Sequence, residues 1–265
     1  MFCQSDKIRI ARPSWGMNAA TIRLRAALSL VHLAWCAFAF ALNPDCDIHQ
    51  LTHRSWGEKE RSPGRSEALA QTGDGFLWIG SHIGLFRFDG VHFERYEARS
   101  GDQLPDNIVH SLLVLSDDSL WVAYDGDKIC DLQKGNVKCY SKADGITTSP
   151  RAIVQDREGT IWANTAAGII RFNGTRWEHI GKDWNFPEGV PRITSGALYV
   201  DRRGTLWAGV NNTVLYLKQG SKQFELTGAF AGWSASIAEA PDGTIWLADA
   251  DAQGRVSNST YAFWL

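Results

Sequence analysis

Few residues in this 265-residue sequence stand at spacings that chemistry requires. The one metal-like string is Asp249-Ala250-Asp251-Ala252-Gln253-Gly254. It places oxygen donors at alternate positions and then a glycine, as the first half of a calcium loop does. The acid that such a loop needs at its twelfth position is missing, since Thr260 stands there. The string therefore reads as a polar connecting loop, with calcium held by Asp249, Asp251 and Gln253 as the alternative. Asp125-Gly126-Asp127 has the same ambiguity. His49, His53, His82, His92, His110 and His179 show no metal-ligand spacing. There is no HExxH, no GxSxG, no Walker-type glycine loop and no CxxC. These absences predict a non-enzyme with no cofactor, no resident metal and no catalytic residues.

Two other groups of residues carry chemistry of a milder kind. The stretch from Trp184 to Arg192 is long and holds aromatics that read as exposed. Trp184, Phe186 and Arg192 are the expected ligand contacts, the alternative being a loop packed on the rim of its own blade. Cys130 and Cys139 flank a two-residue turn at Lys134-Gly135. Counting back from that turn places them opposite one another at a non-hydrogen-bonded site, where Cα atoms lie ~4.5 Å apart. A disulfide fits that spacing, and two inert buried thiols are the other reading. Cys46 is left without a mate.

The elements that position these residues come from an internal repeat. Asp74-Gly75-Phe76-Leu77-Trp78 recurs as Asp118-Ser119-Leu120-Trp121, Gly159-Thr160-Ile161-Trp162, Gly204-Thr205-Leu206-Trp207 and Gly243-Thr244-Ile245-Trp246. The period is about forty residues. Each tryptophan follows an Asp/Gly turn and a short apolar run, from Ile108 to Leu115 in the second repeat and Ala197 to Val200 in the fourth. Downstream, Asp89-Gly90, Lys134-Gly135, Asn173-Gly174 and Gln219-Gly220 supply tight hairpin turns. One period thus holds four short antiparallel strands. The prediction is an all-β chain, a β-propeller of four-stranded blades with about five blades present and the ring incomplete. Trp78, Trp121, Trp162, Trp207 and Trp246 are expected to fill the contacts between blades, because one blade cannot bury both its faces. Asp74, Asp118, Asp156, Asp201 and Asp242 are expected to cap turns by accepting backbone hydrogen bonds.

Residues 68–97, ALAQTGDGFLWIGSHIGLFRFDGVHFERYE, closely resemble the two-component regulator propeller repeat, and residues 104–124 continue the pattern. The resemblance covers about residues 51–248 and is loosest in the second, fourth and fifth repeats. It implies the extracytoplasmic sensing part of a hybrid histidine kinase or related signalling protein. The kinase or diguanylate cyclase module of such proteins is absent here, so the expectation is an N-terminal piece of a longer sensor.

Location follows from the N-terminus. Lys7, Arg9, Arg12, Arg23 and Arg25 precede an apolar run from Ala26 to Leu42 with Ala-x-Ala sites at its end. Residues 1–42 read as a secretory signal peptide, starting at Met1 or Met17, and residues 43–265 as the exported propeller in the periplasm or outside the cell. The net charge of −2 gives no footprint for nucleic acid. Expected partners are an extracellular ligand, with a glycan or its breakdown product as the candidate class, and a second copy of the chain. The rivals are a free-standing binding or scaffold propeller and a polysaccharide-active propeller enzyme, which needs acids, His or Tyr clustered at the axis.

Overall fold

The computed structural model describes residues 54–186, 197–210, 213–229, 236–248 and 261–263. Arg192, Asp249, Asp251, Gln253 and the signal region lie outside the described residues. Strand β1 (Ser66–Gln71) pairs with β2 (Leu77–Ser81), then β3 (Gly84–Phe88) and β4 (Phe93–Arg95), each antiparallel to the last. Beyond a two-residue strand β5 (Ser100–Gly101), the next sheet runs β6 (Val109–Val114), β7 (Leu120–Tyr124), β8 (Lys128–Gln133) and β9 (Asn136–Tyr140). The third is β10 (Pro150–Gln155), β11 (Ile161–Thr165), β12 (Gly168–Phe172) and β13 (Trp177–His179). The fourth is β14 (Leu198–Val200), β15 (Leu206–Val210), β16 (Thr213–Leu217) and β17 (Glu225–Leu226). Among the described residues the fifth holds β18 (Ser236–Glu239), β19 (Ile245–Ala248) and β20 (Tyr261–Phe263). This is the blade succession of an incomplete β-propeller. First strands lie beside first strands, β1 against β6, β6 against β10, β10 against β14 and β14 against β18, so they line the axis.

Strand β5 is a feature the repeat did not predict. It pairs in parallel with the outer edge of β9, and the Asp102 carboxylate accepts from the Cys139 N–H at 2.7 Å. An exposed edge is thereby covered. On the same hairpin Cys130 stands opposite Cys139 and the two are joined as a disulfide, with Cα atoms 4.0 Å apart.

The tryptophans sit on the second strand of each blade and face the next blade. Trp78 packs with Val109, Leu120 and Leu132, and Trp121 with Ile153, Ile161 and Trp177. Trp162 packs with Leu206, Leu215 and Leu217, and Trp207 with Ile245 and Leu247. Trp246 departs from the expectation of a core residue. It is 46% exposed where Trp207 is 1% exposed. The reason is local: among the described residues no further sheet lies against β19 on that side.

The turn between first and second strands has one design throughout. The amide of the residue six before the tryptophan bonds the carbonyl two before it, and its own carbonyl accepts from the residue three before the tryptophan. The latter position takes positive φ, and Gly75, Gly159, Gly204 and Gly243 fill it. In the second blade Asp118 takes it instead, at φ 63°. The carboxylates of Asp74, Asp156, Asp201 and Asp242 accept backbone N–H bonds within their own turns. Asp156 and Asp201 also accept the indole N–H of Trp162 and Trp207, at 2.7 and 3.0 Å. Asp118 differs from this expectation, because its neighbour Asp117 caps the turn through the Ser119 N–H. The Asp118 carboxylate reaches back to accept from Gly73 N at 2.8 Å, tying the second blade to the first.

Candidate functional site

At the other end of the blades the first strands of the first three blades begin with a bulge, while β14 and β18 pair in regular register among the described residues. Ser66 pairs with Ser81 and Ala68 with Gly80, which leaves Glu67 as the extra residue. His110 is extra between Val109 and Ser111, and Arg151 between Pro150 and Ala152. A bulge breaks the ladder and re-aims one side chain. Here it does so at the same backbone position in three successive blades, eleven residues before each tryptophan. Because the first strands line the axis, the three side chains share one end of it.

His110 and Arg151 share one polar cluster across the second and third blades, and Glu67 has its own partners in the first. His110 Nε2 lies 3.0 Å from Asp125 Oδ1 and 2.8 Å from Arg151 Nη1. The Ser149 hydroxyl donates to Asp125 Oδ1 at 2.8 Å, and Arg151 Nη2 is 3.9 Å from the same oxygen. In the first blade Glu67 Oε1 is 2.6 Å from His82 Nε2 and 2.9 Å from Arg65 Nε. Glu67 also feels the charge of His110 across the blade boundary. The hydrogen bond from His82 is the main influence holding the Glu67 carboxyl below its ordinary range, opposed by burial and aided by Arg65. Asp125 is held low by the bond from His110 first, then by Ser149.

One ring nitrogen cannot serve both of its neighbours. If Nε2 carries the proton, it donates to Asp125 and faces the Arg151 guanidinium with no lone pair to offer. If the proton sits on Nδ1, Nε2 accepts from Arg151 and cannot donate to Asp125. The neutral ring therefore has two hydrogen-bonding arrangements. His110 is mostly buried, its side chain 10% exposed, while Arg151 and Asp125 stay open to solvent at 45% and 39%. The arrangement groups donors and acceptors, partly open to solvent, at that end of the first strands. Among the described residues no group of three or more His, Cys, Asp or Glu is placed to hold a metal.

The ligand contacts expected from sequence lie elsewhere. Trp184 and Phe186 are 9% and 8% exposed and belong to the contact between third and fourth blades. A 3-10 turn, Lys182–Trp184, folds the chain back, and Asn185 follows in the left-handed conformation. Trp184 then meets Trp162 edge-on at 5.8 Å, and Phe186 meets Phe224 at 5.5 Å. The guanidinium of Arg171 covers the Trp184 ring at 4.9 Å. These two residues are blade-rim packing. Sequence reasoning missed Glu67, His110 and Arg151, whose only shared signal is their fixed offset from the tryptophan.

No family model matches the chain, and no curated protein matches it. Solved structures do. An extracellular domain assigned to a hybrid two-component system of B. thetaiotaomicron aligns with a TM-score of 0.61 and 18% identity, over 80% of this chain and 32% of that one. The likeness is one of fold. Virginiamycin B lyase from Staphylococcus aureus aligns with a TM-score of 0.55 and 17% identity, over 76% of this chain and 71% of its own. An extracellular domain assigned to a one-component system of B. thetaiotaomicron gives 0.55 and 17%, over 76% of this chain and 30% of that one. The chain thus spans about a third of the length of the first of these. Sensor domains and enzymes share this architecture, so the fold leaves the choice between them to the site. Among the described residues no helix is long and apolar enough to cross a membrane.

Proposed function

We propose that this chain is the exported ligand-sensing propeller of a two-component signalling protein, with its ligand held over Glu67, His110 and Arg151. The observation that carries the binding site is the recurrence of a bulge bearing a charged or ionisable side chain in three neighbouring blades. The repeat's resemblance to the regulator propeller supports the signalling role, and the basic-then-apolar N-terminus supports export to the periplasm or beyond. A ligand that fixes one of the two His110 arrangements biases how the blades pack, and a population shift of that kind is what a sensor passes on. A glycan or its breakdown product offers the hydroxyl groups that such a mixed set of donors and acceptors binds.

The test has two arms. The coding sequence around this chain in its genome is read for an in-frame spanning helix and a kinase or cyclase module, whose absence contradicts the signalling role. A reporter for that pathway is then measured with wild-type chain and with Arg151→Ala. Loss of response with unchanged export supports the reading, and an unchanged response sinks it. One observation favours a second reading: the His110–Asp125 pair with Glu67 nearby is a set of groups able to move protons. Turnover on a polysaccharide panel, lost in His110→Gln, would replace sensing with catalysis.

A further inference from the structure

A pocket opens between the first and second blades on the same end of the molecule, outside the axial cluster. It holds about 320 Å³ and is lined by Leu85, Arg95, Glu97, Leu104, Asp106 and Tyr124. Tyr124 is fully buried, and its hydroxyl has no hydrogen-bond partner. Native proteins rarely leave such a group unsatisfied, so an unpaired donor beside a pocket points to what fills the pocket. Burial pushes the Tyr124 hydroxyl far above its ordinary range, so it remains a neutral donor. Arg95 donates to the Ile83 carbonyl at 2.8 Å and pairs with Asp106, whose side chain is 78% exposed.

The remaining chemistry is bipolar. The lining offers two donors, the Arg95 guanidinium and the Tyr124 phenol. Asp106 and Glu97 are acceptors only, and the charges of Arg95, Asp106 and Glu97 leave the lining one unit negative. Leu85 and Leu104 supply an apolar wall. We infer that this pocket binds a free α-amino acid as its zwitterion. The carboxylate accepts from Arg95 and Tyr124, the ammonium replaces Arg95 as the partner of Asp106, and the side chain lies on the leucines. The ligand inserts itself into an existing ion pair and, being neutral overall, leaves the lining's net charge unchanged. The volume stands at the low end for small-molecule sites. It suits a single amino acid rather than a glycan chain, which separates this site from the axial one.

The experiment is isothermal titration of the chain with each of the twenty L-amino acids, then with N-acetyl and C-amide forms of whichever binds. Binding by at least one amino acid is expected. Both derivatives should lose at least tenfold in affinity, because each removes one charged contact. Tyr124→Phe should weaken binding about tenfold without lowering the melting temperature, since the hydroxyl it removes has no partner in the empty pocket. Asp106→Asn, at an exposed position, should fold normally and weaken binding by a similar factor. The inference is overturned if no amino acid binds up to about 10 mM, if Tyr124→Phe binds as tightly as wild type, or if the N-acetyl form binds as well as the free amino acid.

Discussion

The two ends of each blade obey different rules. At the end where first and second strands turn, the same two backbone bonds recur in all five blades, a glycine fills the positive-φ position in four of them, and an aspartate caps each turn. At the other end the backbone recurs as a bulge while the side chain on it changes, from Glu67 to His110 to Arg151. A repeat that keeps both backbone and side chain is holding the fold. A repeat that keeps the backbone and varies the side chain is presenting something. The comparison separates stability from recognition within one chain.

The largest effect should come from the repeated, structural part. Trp207→Ala removes a side chain buried against Ile245 and Leu247 and should cost about 3–5 kcal/mol. Trp246→Ala, at the exposed equivalent, should cost less than about 1 kcal/mol. Urea unfolding of both variants measures the gap, and equal losses would break the rule that facing blades bury these rings. Next is the turn. Asp201→Ala frees the Trp207 indole N–H and two backbone amides and should cost about 1–3 kcal/mol in the same assay. A neutral result would show that the turn end is dispensable after all.

The smallest stability effect should come from the cluster. Asp125 has its carboxyl held below its ordinary value by His110 and Ser149. Its contribution is therefore present above the unfolded-state value and lost as pH falls through the lower folded one. Asp125→Asn should flatten the fall in melting temperature between neutral and acidic pH while shifting the neutral value little, because the group is well exposed. A large drop at neutral pH would place Asp125 with the structural residues.

Much of the fold was legible because five tryptophans and their Asp/Gly turns mark one backbone phase. Strand β5 was not, since two residues carry no pattern and the pairing depends on where the linker happens to fall. The exposure of Trp246 was not legible either, because burial there depends on a neighbour and not on the repeat itself. Trp184 and Phe186 misled because a segment rich in turn residues reads as a surface loop, while the 3-10 turn sends both rings inward. The axial cluster escaped for the opposite reason. Glu67, His110 and Arg151 share no chemistry in sequence, and only the strand register shows that they occupy one position.

The most direct test of the division between the two ends is a binding titration with a panel of oligosaccharides and their breakdown products. It compares wild type, Arg151→Ala at the bulge and Asp74→Ala at the turn. The account predicts a binder whose affinity falls at least tenfold in Arg151→Ala and stays within about twofold in Asp74→Ala. Binding that survives loss of Arg151 but falls with Asp74 would contradict it.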